Sequence, residues 1–115
     1  MKLSGKDGDA AYIVEVEAPR IDAAAAIQFK DAFRDCIGDR SGRIVMDMGQ
    51  VEFLDSSGLG AIVAAMKLLG GDRKLELAAL TPTVEKVFRL TRLDSVFVIH
   101  PDVAAALAPG GCNNG

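Results

Sequence analysis

The sequence predicts a single α/β domain built on a mixed, mostly parallel β-sheet with about four packed helices. Three observations carry this reading. Segments with strand-like apolar patterning take turns with segments of helical periodicity, in the order β-β-α-β-α-β-α-β-α. The 115 residues suit one core and leave no room for a second. Half of them are apolar and a quarter are charged, the composition of a folded chain and not of a disordered one. The domain is expected over residues 1–108, with 109–115, "PGGCNNG", as a disordered tail.

Each element has its own justification. "AYIVEVE" at 11–17 sets Tyr12, Val14 and Val16 on one face and Glu15 and Glu17 on the other, as in a half-buried strand. The preceding "GKDGD" is turn chemistry, which would let residues 2–4 serve as a short hairpin partner. Asp22 then caps a helix whose apolar face runs through Ala26, Phe29, Phe33 and Ile37 and which stops at Gly38. "GRIVMDM" and "VEFL" have strand character, separated by a break at Gly49 and Gln50. A second helix follows Asp55 and ends near Gly70. "KLELAAL" is the next strand, and "TPTVEKVFRLT" a helix with Thr81 as cap and Pro82 at its first position. Val84, Val87 and Phe88 face its packed side. "SVFVIH", apolar on both faces, reads as a buried strand, and "PDVAAALA" as a short last helix. Helices between successive strands imply parallel pairing through right-handed crossovers.

Composition excludes several functions. Net charge is −3 and the pI is near 5, with no basic stripe to neutralise phosphates, which argues against direct nucleic-acid binding. "MKLSGKDGDA" lacks the apolar core of a secretory signal, and the apolar run at 59–69 is broken by Lys67 and too short to cross a bilayer. Two cysteines, Cys36 and Cys112, do not make a disulfide framework, so a reduced, cytoplasmic setting is expected. The only histidine, His100, ends a strand and reads as structural instead of as a general base. Neither a Walker A pattern nor a G-x-G-x-x-G occurs, and no clustered ligands suggest a metal. With no catalytic set, no cofactor and no enzymatic activity are expected.

The informative stretch is "FLDSSGLGAIVAAM", residues 53–66. Asp55 can cap the helix it opens, and Ser56 and Ser57 tolerate that first turn. Gly58 and Gly60, however, each cost roughly 1 kcal/mol of helix propensity against alanine, which capping does not explain. Glycines there allow another backbone or a partner surface to come close. A helix N-terminus also favours a phosphate, because its free N–H groups and dipole are positive. At about 100° per residue, Leu59, Ile62, Met66 and Leu69 share one side, and Ala61, Ala65 and Leu68 widen that apolar arc. Gly60 and Ser56 each fall about 20° from the direction of Lys67, so the three form an outward stripe edged by Val63. Ser57 falls roughly 80° away, which predicts that it sits nearer the packed side with its hydroxyl bonded to backbone.

"VEFLDSSGLGAIV" resembles the signature of the STAS domain, and in particular that of the anti-sigma factor antagonists. "APRIDAAAA" is similar to their turn into the first helix, and "VFRLTRLDSVFVIHPD" to their C-terminal segment, so the likeness spans nearly the whole chain in order. Two positions depart from it: Pro19 and Arg92 stand where the family commonly has glycine. The resemblance implies a STAS-like fold and a protein that binds an anti-sigma factor serine kinase and thereby frees a sigma factor. It implies Ser56 as phospho-acceptor, phosphorylation as the signal to let go, and a metal-dependent serine phosphatase as the reset. Asp22 and Asp55 would border the acceptor, and Ser57, Gly58, Gly60 and Lys67 would complete the docking surface. The free chain is expected to be monomeric. The alternative implied by the same likeness is a non-phosphorylated STAS adaptor, for example of a lipid-transporting ABC system.

Overall fold

Alternating strands and helices assemble around one transverse row of apolar side chains. The computed structural model describes residues 2–107 except 9, 39, 41, 71 and 72. The expected tail at 109–115 lies outside the described residues. In chain order the elements are β1 (Leu3–Asp7), β2 (Tyr12–Val16), β3 (Arg20–Ile21), α1 (Ala23–Ile37), β4 (Gly42–Asp47), β5 (Phe53–Leu54) and α2 (Ser56–Leu69). Then come β6 (Arg73–Ala78), α3 (Pro82–Leu90), a 3-10 turn (Leu93–Ser95), β7 (Val98–His100) and α4 (Val103–Leu107).

Five strands form the main sheet in the order β1-β2-β4-β6-β7, and β3 pairs with β5 in a separate two-stranded sheet. β1 runs antiparallel to β2, and every other pairing is parallel. The register aligns Val14, Met46, Leu77 and Ile99 across four neighbouring strands. Because side chains alternate along a strand, this row and its neighbours two residues away make one apolar face. Phe29 and Phe33 of α1, Ile62 of α2, and Val84 and Phe88 of α3 are buried against it in one core. Phe29 and Phe33 stack with ring centroids 5.9 Å apart, and Phe88 meets Phe97 edge to face at 5.8 Å. α4 alone covers part of the opposite face, where Ala106 packs with Ala11, Val45 and Ala78.

The fold is the one the sequence predicts, with local corrections. The hairpin partner of β2 extends to Asp7, beyond the expected residues 2–4, and after it the Gly8 N–H donates to the Ala11 carbonyl. Thr81 precedes α3 as expected, but its hydroxyl donates to the Val51 carbonyl at 2.8 Å instead of capping the helix. "SVFVIH" is not a buried strand. Its first residue closes the 3-10 turn, only three residues pair with β6, and β7 is a sheet edge with Val98 39% exposed. Arg92, ahead of that turn, has φ 63° and ψ 16°, the left-handed conformation that favours glycine. α1 and α2 end as predicted, on Gly38 and Gly70, both at positive φ.

Candidate functional site

Two strand-to-helix junctions lie side by side and define the site. β3 and β5 pair with Arg20 opposite Phe53 and Ile21 opposite Leu54. The next residue in each segment is an aspartate, so Asp22 and Asp55 adjoin one another at the starts of α1 and α2. Both cap their helices through residues three ahead: the Ala25 N–H donates to Asp22 Oδ1 at 3.1 Å, and the Gly58 N–H to Asp55 Oδ1 at 2.9 Å. The main chain ties the two junctions together, since the Glu52 and Phe53 N–H groups both donate to the Pro19 carbonyl, at 2.7 and 3.2 Å. Only the carbonyl of Pro19 is used there. Its missing N–H therefore does not disturb the loop, and Asp22 keeps its cap.

The two glycines of the stretch have different causes. A Cβ on Gly58 would lie 2.1 Å from the Ile21 carbonyl oxygen and 2.8 Å from Leu54 Cδ1. Gly58 is buried, and its lack of a side chain is what lets α2 lie against β3. It serves packing and offers no surface to a partner. A Cβ on Gly60 would meet nothing within 4 Å. The packing of this domain gives no reason for a glycine at that exposed position.

Ser56, Gly60 and Lys67 are all exposed, and Val63 is half-buried at their edge, as the helical count predicts. Ser57 is different from expectation: it is exposed, and it lines a groove between α2 and α1 with Gly60, Ala26 and Ile27. α1 leaves this groove open, so Ser57 faces solvent while Gly58 and Leu59 of the same turn are buried. For the same reason Leu68, expected inside, is 40% exposed. Lys67 shares the outward stripe but lies about 16 Å along the helix from Ser56, so it does not adjoin the serines. The sequence reading missed Arg20 and Phe53 at the other border: the Arg20 guanidinium lies 5.0 Å from the Phe53 ring centroid and 3.8 Å from Asp22 Oδ2. It also missed Ile27 and Lys30 on α1, where an isoleucine off the buried stripe was the available signal.

A second polar cluster lies across the sheet. Arg43 donates from Nε and Nη2 to both oxygens of Glu76, at 2.8 and 2.7 Å, and from Nη2 to the Ala106 carbonyl at 2.8 Å. His100 Nε2 lies 2.7 Å from Glu76 Oε1 and must donate if that carboxylate is ionised. Glu76 and His100 are 4% and 8% exposed. Burial pushes the Glu76 carboxyl up, but the hydrogen bonds and charges of Arg43 and His100 outweigh it and hold the group below its ordinary value. His100 therefore acts beyond the end of its strand, as part of an anchor between the sheet and α4. Among the described residues no cluster of His, Cys, Asp and Glu is arranged to hold a metal ion.

Residues 3–106 match the STAS domain. The chain belongs to the STAS family. A STAS-domain-containing protein of Pseudomonas aeruginosa is 33% identical over 82 residues, which cover 70% of this chain and 79% of that protein. The crystal structure of an anti-sigma factor antagonist from Mycobacterium paratuberculosis superposes with a TM-score of 0.81 at 29% identity, covering 92% of this chain and 90% of that one. The antagonist SpoIIAA in its unphosphorylated form shares the fold at 20% identity, with a TM-score of 0.71 and 99% and 98% of the two chains covered. The structural neighbours of this STAS domain thus include anti-sigma factor antagonists. Among the described residues no helix is long and apolar enough to cross a membrane.

Proposed function

We propose that this STAS protein is an anti-sigma factor antagonist: it binds an anti-sigma factor that is also a serine kinase, releases the sigma factor, and is switched off by phosphorylation of Ser56. A serine phosphatase restores the binding form, and the cycle runs in the cytoplasm. The observation that carries the proposal is the exposed Ser56 at an aspartate-capped helix start, one turn from a glycine that the fold does not require. Gly60 leaves a kinase room to close over the serine. The likeness to the mycobacterial antagonist supports the same role. Asp22, Asp55, Ser57 and Gly60 would form the surrounding contact surface, with Lys67 at its far end about 16 Å along α2.

Ser56 is favoured over Ser57 by position, since Ser57 faces the groove flanked by α1. A phosphoserine adds about −1.5 to −2 charges and three acceptor oxygens. At a helix N-terminus that charge is tolerated by the domain itself, so the melting temperature should stay nearly unchanged. Opposite an acidic group of a partner it would cost several kcal/mol. Ser56→Ala is expected to bind the cognate kinase as the unmodified protein does, and Ser56→Asp more weakly. Isothermal titration of the three proteins tests this, and equal affinities would contradict the switch.

A further inference from the structure

α1 and α2 pack against one another but leave a groove along their outer seam. One part, of about 230 Å³, lies where Ser57 and Gly60 face Ala26 and Ile27. The next, of about 300 Å³, lies where Ala64 and Leu68 face Lys30 and Arg34. Lys30 and Ala64 line both parts, so they form one channel. From Ser57 to Leu68 it follows α2 for about three turns, or roughly 16 Å.

Two properties mark this channel. Single exposed apolar residues are ordinary, but here Ile27, 73% exposed, and Leu68, 40% exposed, border one alanine-floored groove. The charges are also one-sided. The whole chain is acidic, with a net charge of −3, yet the charged residues lining the channel are Lys30, Arg34 and Lys67. Arg34 has Asp31 at 3.6 Å, an exposed pair that neutralises it weakly. Among the described residues no carboxylate lies within ion-pair distance of Lys30 or Lys67. The acidic caps Asp22 and Asp55 are confined to the end where the helices begin.

We infer that this channel receives an acidic amphipathic helix of a protein partner, about three turns long, with apolar residues at i, i+3, i+4 and i+7 and Asp or Glu on its flanks. Two parallel ridges with a groove between them suit a helix laid lengthwise. The apolar stripe would cover Ile27 and Leu68, and the flanking carboxylates would meet Lys30 and Lys67. The inference deepens the proposed function and rests on it for the partner's identity, the helix being one of the anti-sigma factor. It also supplies the acidic group that the switch requires: a phosphate on Ser56 would stand at the channel's end and repel the helix.

The test is a titration of the isotope-labelled full chain with two synthetic peptides of about 15 residues, followed by amide chemical shifts. Both carry leucine at the same positions, with glutamate on the flanks of one and lysine on the flanks of the other. The glutamate peptide is expected to bind about tenfold more tightly and to shift Ile27, Lys30, Ala64 and Leu68. The double variant Lys30→Glu/Lys67→Glu, at exposed positions and checked by circular dichroism, should reverse that preference. Equal binding of the two peptides, no saturable binding, or shifts centred elsewhere would overturn the inference. So would tighter binding of phosphatidylcholine–phosphatidylglycerol vesicles by the same residues, which would make the surface a membrane contact. A kinase that binds in a Ser56-dependent way while the glutamate peptide fails overturns the channel alone. The converse result overturns the antagonist reading alone.

Discussion

The helix junctions on one face of the sheet and the anchor on the other use polar residues in opposite ways. At the junctions Asp22 and Asp55 each satisfy a backbone group three residues ahead, and the serines beside Asp55 remain exposed. In the anchor Arg43, Glu76, His100 and the Ala106 carbonyl come from four elements and are joined by mutual hydrogen bonds. The first arrangement is local and leaves hydroxyls available for chemistry. The second is non-local and places its charge where neither a partner nor solvent reaches easily. A polar residue in this domain is thus a candidate for function where its bonds are short-range and its surface open.

The largest test of that contrast removes Glu76. Removing the buried carboxylate takes the countercharge from the half-buried Arg43 guanidinium, a loss at the low end for buried ion pairs, about 3 kcal/mol. Glu76→Ala should lower stability by that order in urea unfolding, while leaving binding through Ser56 intact in whatever fraction remains folded. Acid offers a gentler version. The folded carboxyl of Glu76 is held below its ordinary value, so its contribution is fully present above the unfolded glutamate pKa and is lost as pH falls through the folded one. Urea midpoints between neutral and acid pH should therefore fall more steeply in the natural protein than in Glu76→Gln.

The two glycines sharpen the contrast within one turn of α2. Gly58→Ala forces a Cβ into the Ile21 carbonyl and should destabilise by about 3 kcal/mol. Removing the cap in Asp55→Ala should cost about 1 kcal/mol. Gly60→Ala enters open space and should stabilise by up to about 1 kcal/mol, while weakening the proposed kinase contact. Opposite signs in thermal unfolding for the two glycine variants would separate a glycine required by packing from one that packing does not require.

The same distinction explains what the sequence made legible. Both aspartate caps, the apolar stripe of α1 and the outward stripe of Ser56, Gly60 and Lys67 follow from residues a few positions apart, and periodicity finds them. β3 escaped because two residues, Arg20 and Ile21, carry no period. "SVFVIH" reads as a buried strand because a continuous apolar run does not tell a central strand from an edge; Phe97 is buried in the core and Ile99 packs against it, while Val96 and Val98 are exposed. A helical wheel places Ser57 nearer the packed side and Leu68 in the apolar arc because it gives directions around one helix and not where its neighbour stops. Arg43, Glu76 and His100 lie 33 and 24 residues apart in pairs, beyond any local rule.

The central claim concerns one hydroxyl. Incubation of the protein with its cognate kinase and ATP, followed by phosphopeptide mapping of the segment that holds Ser56 and Ser57, tests it most directly. The account requires phosphate on Ser56 with Ser57 unmodified, and loss of labelling in Ser56→Ala. Phosphate on Ser57, from within the groove beside α1, would contradict it.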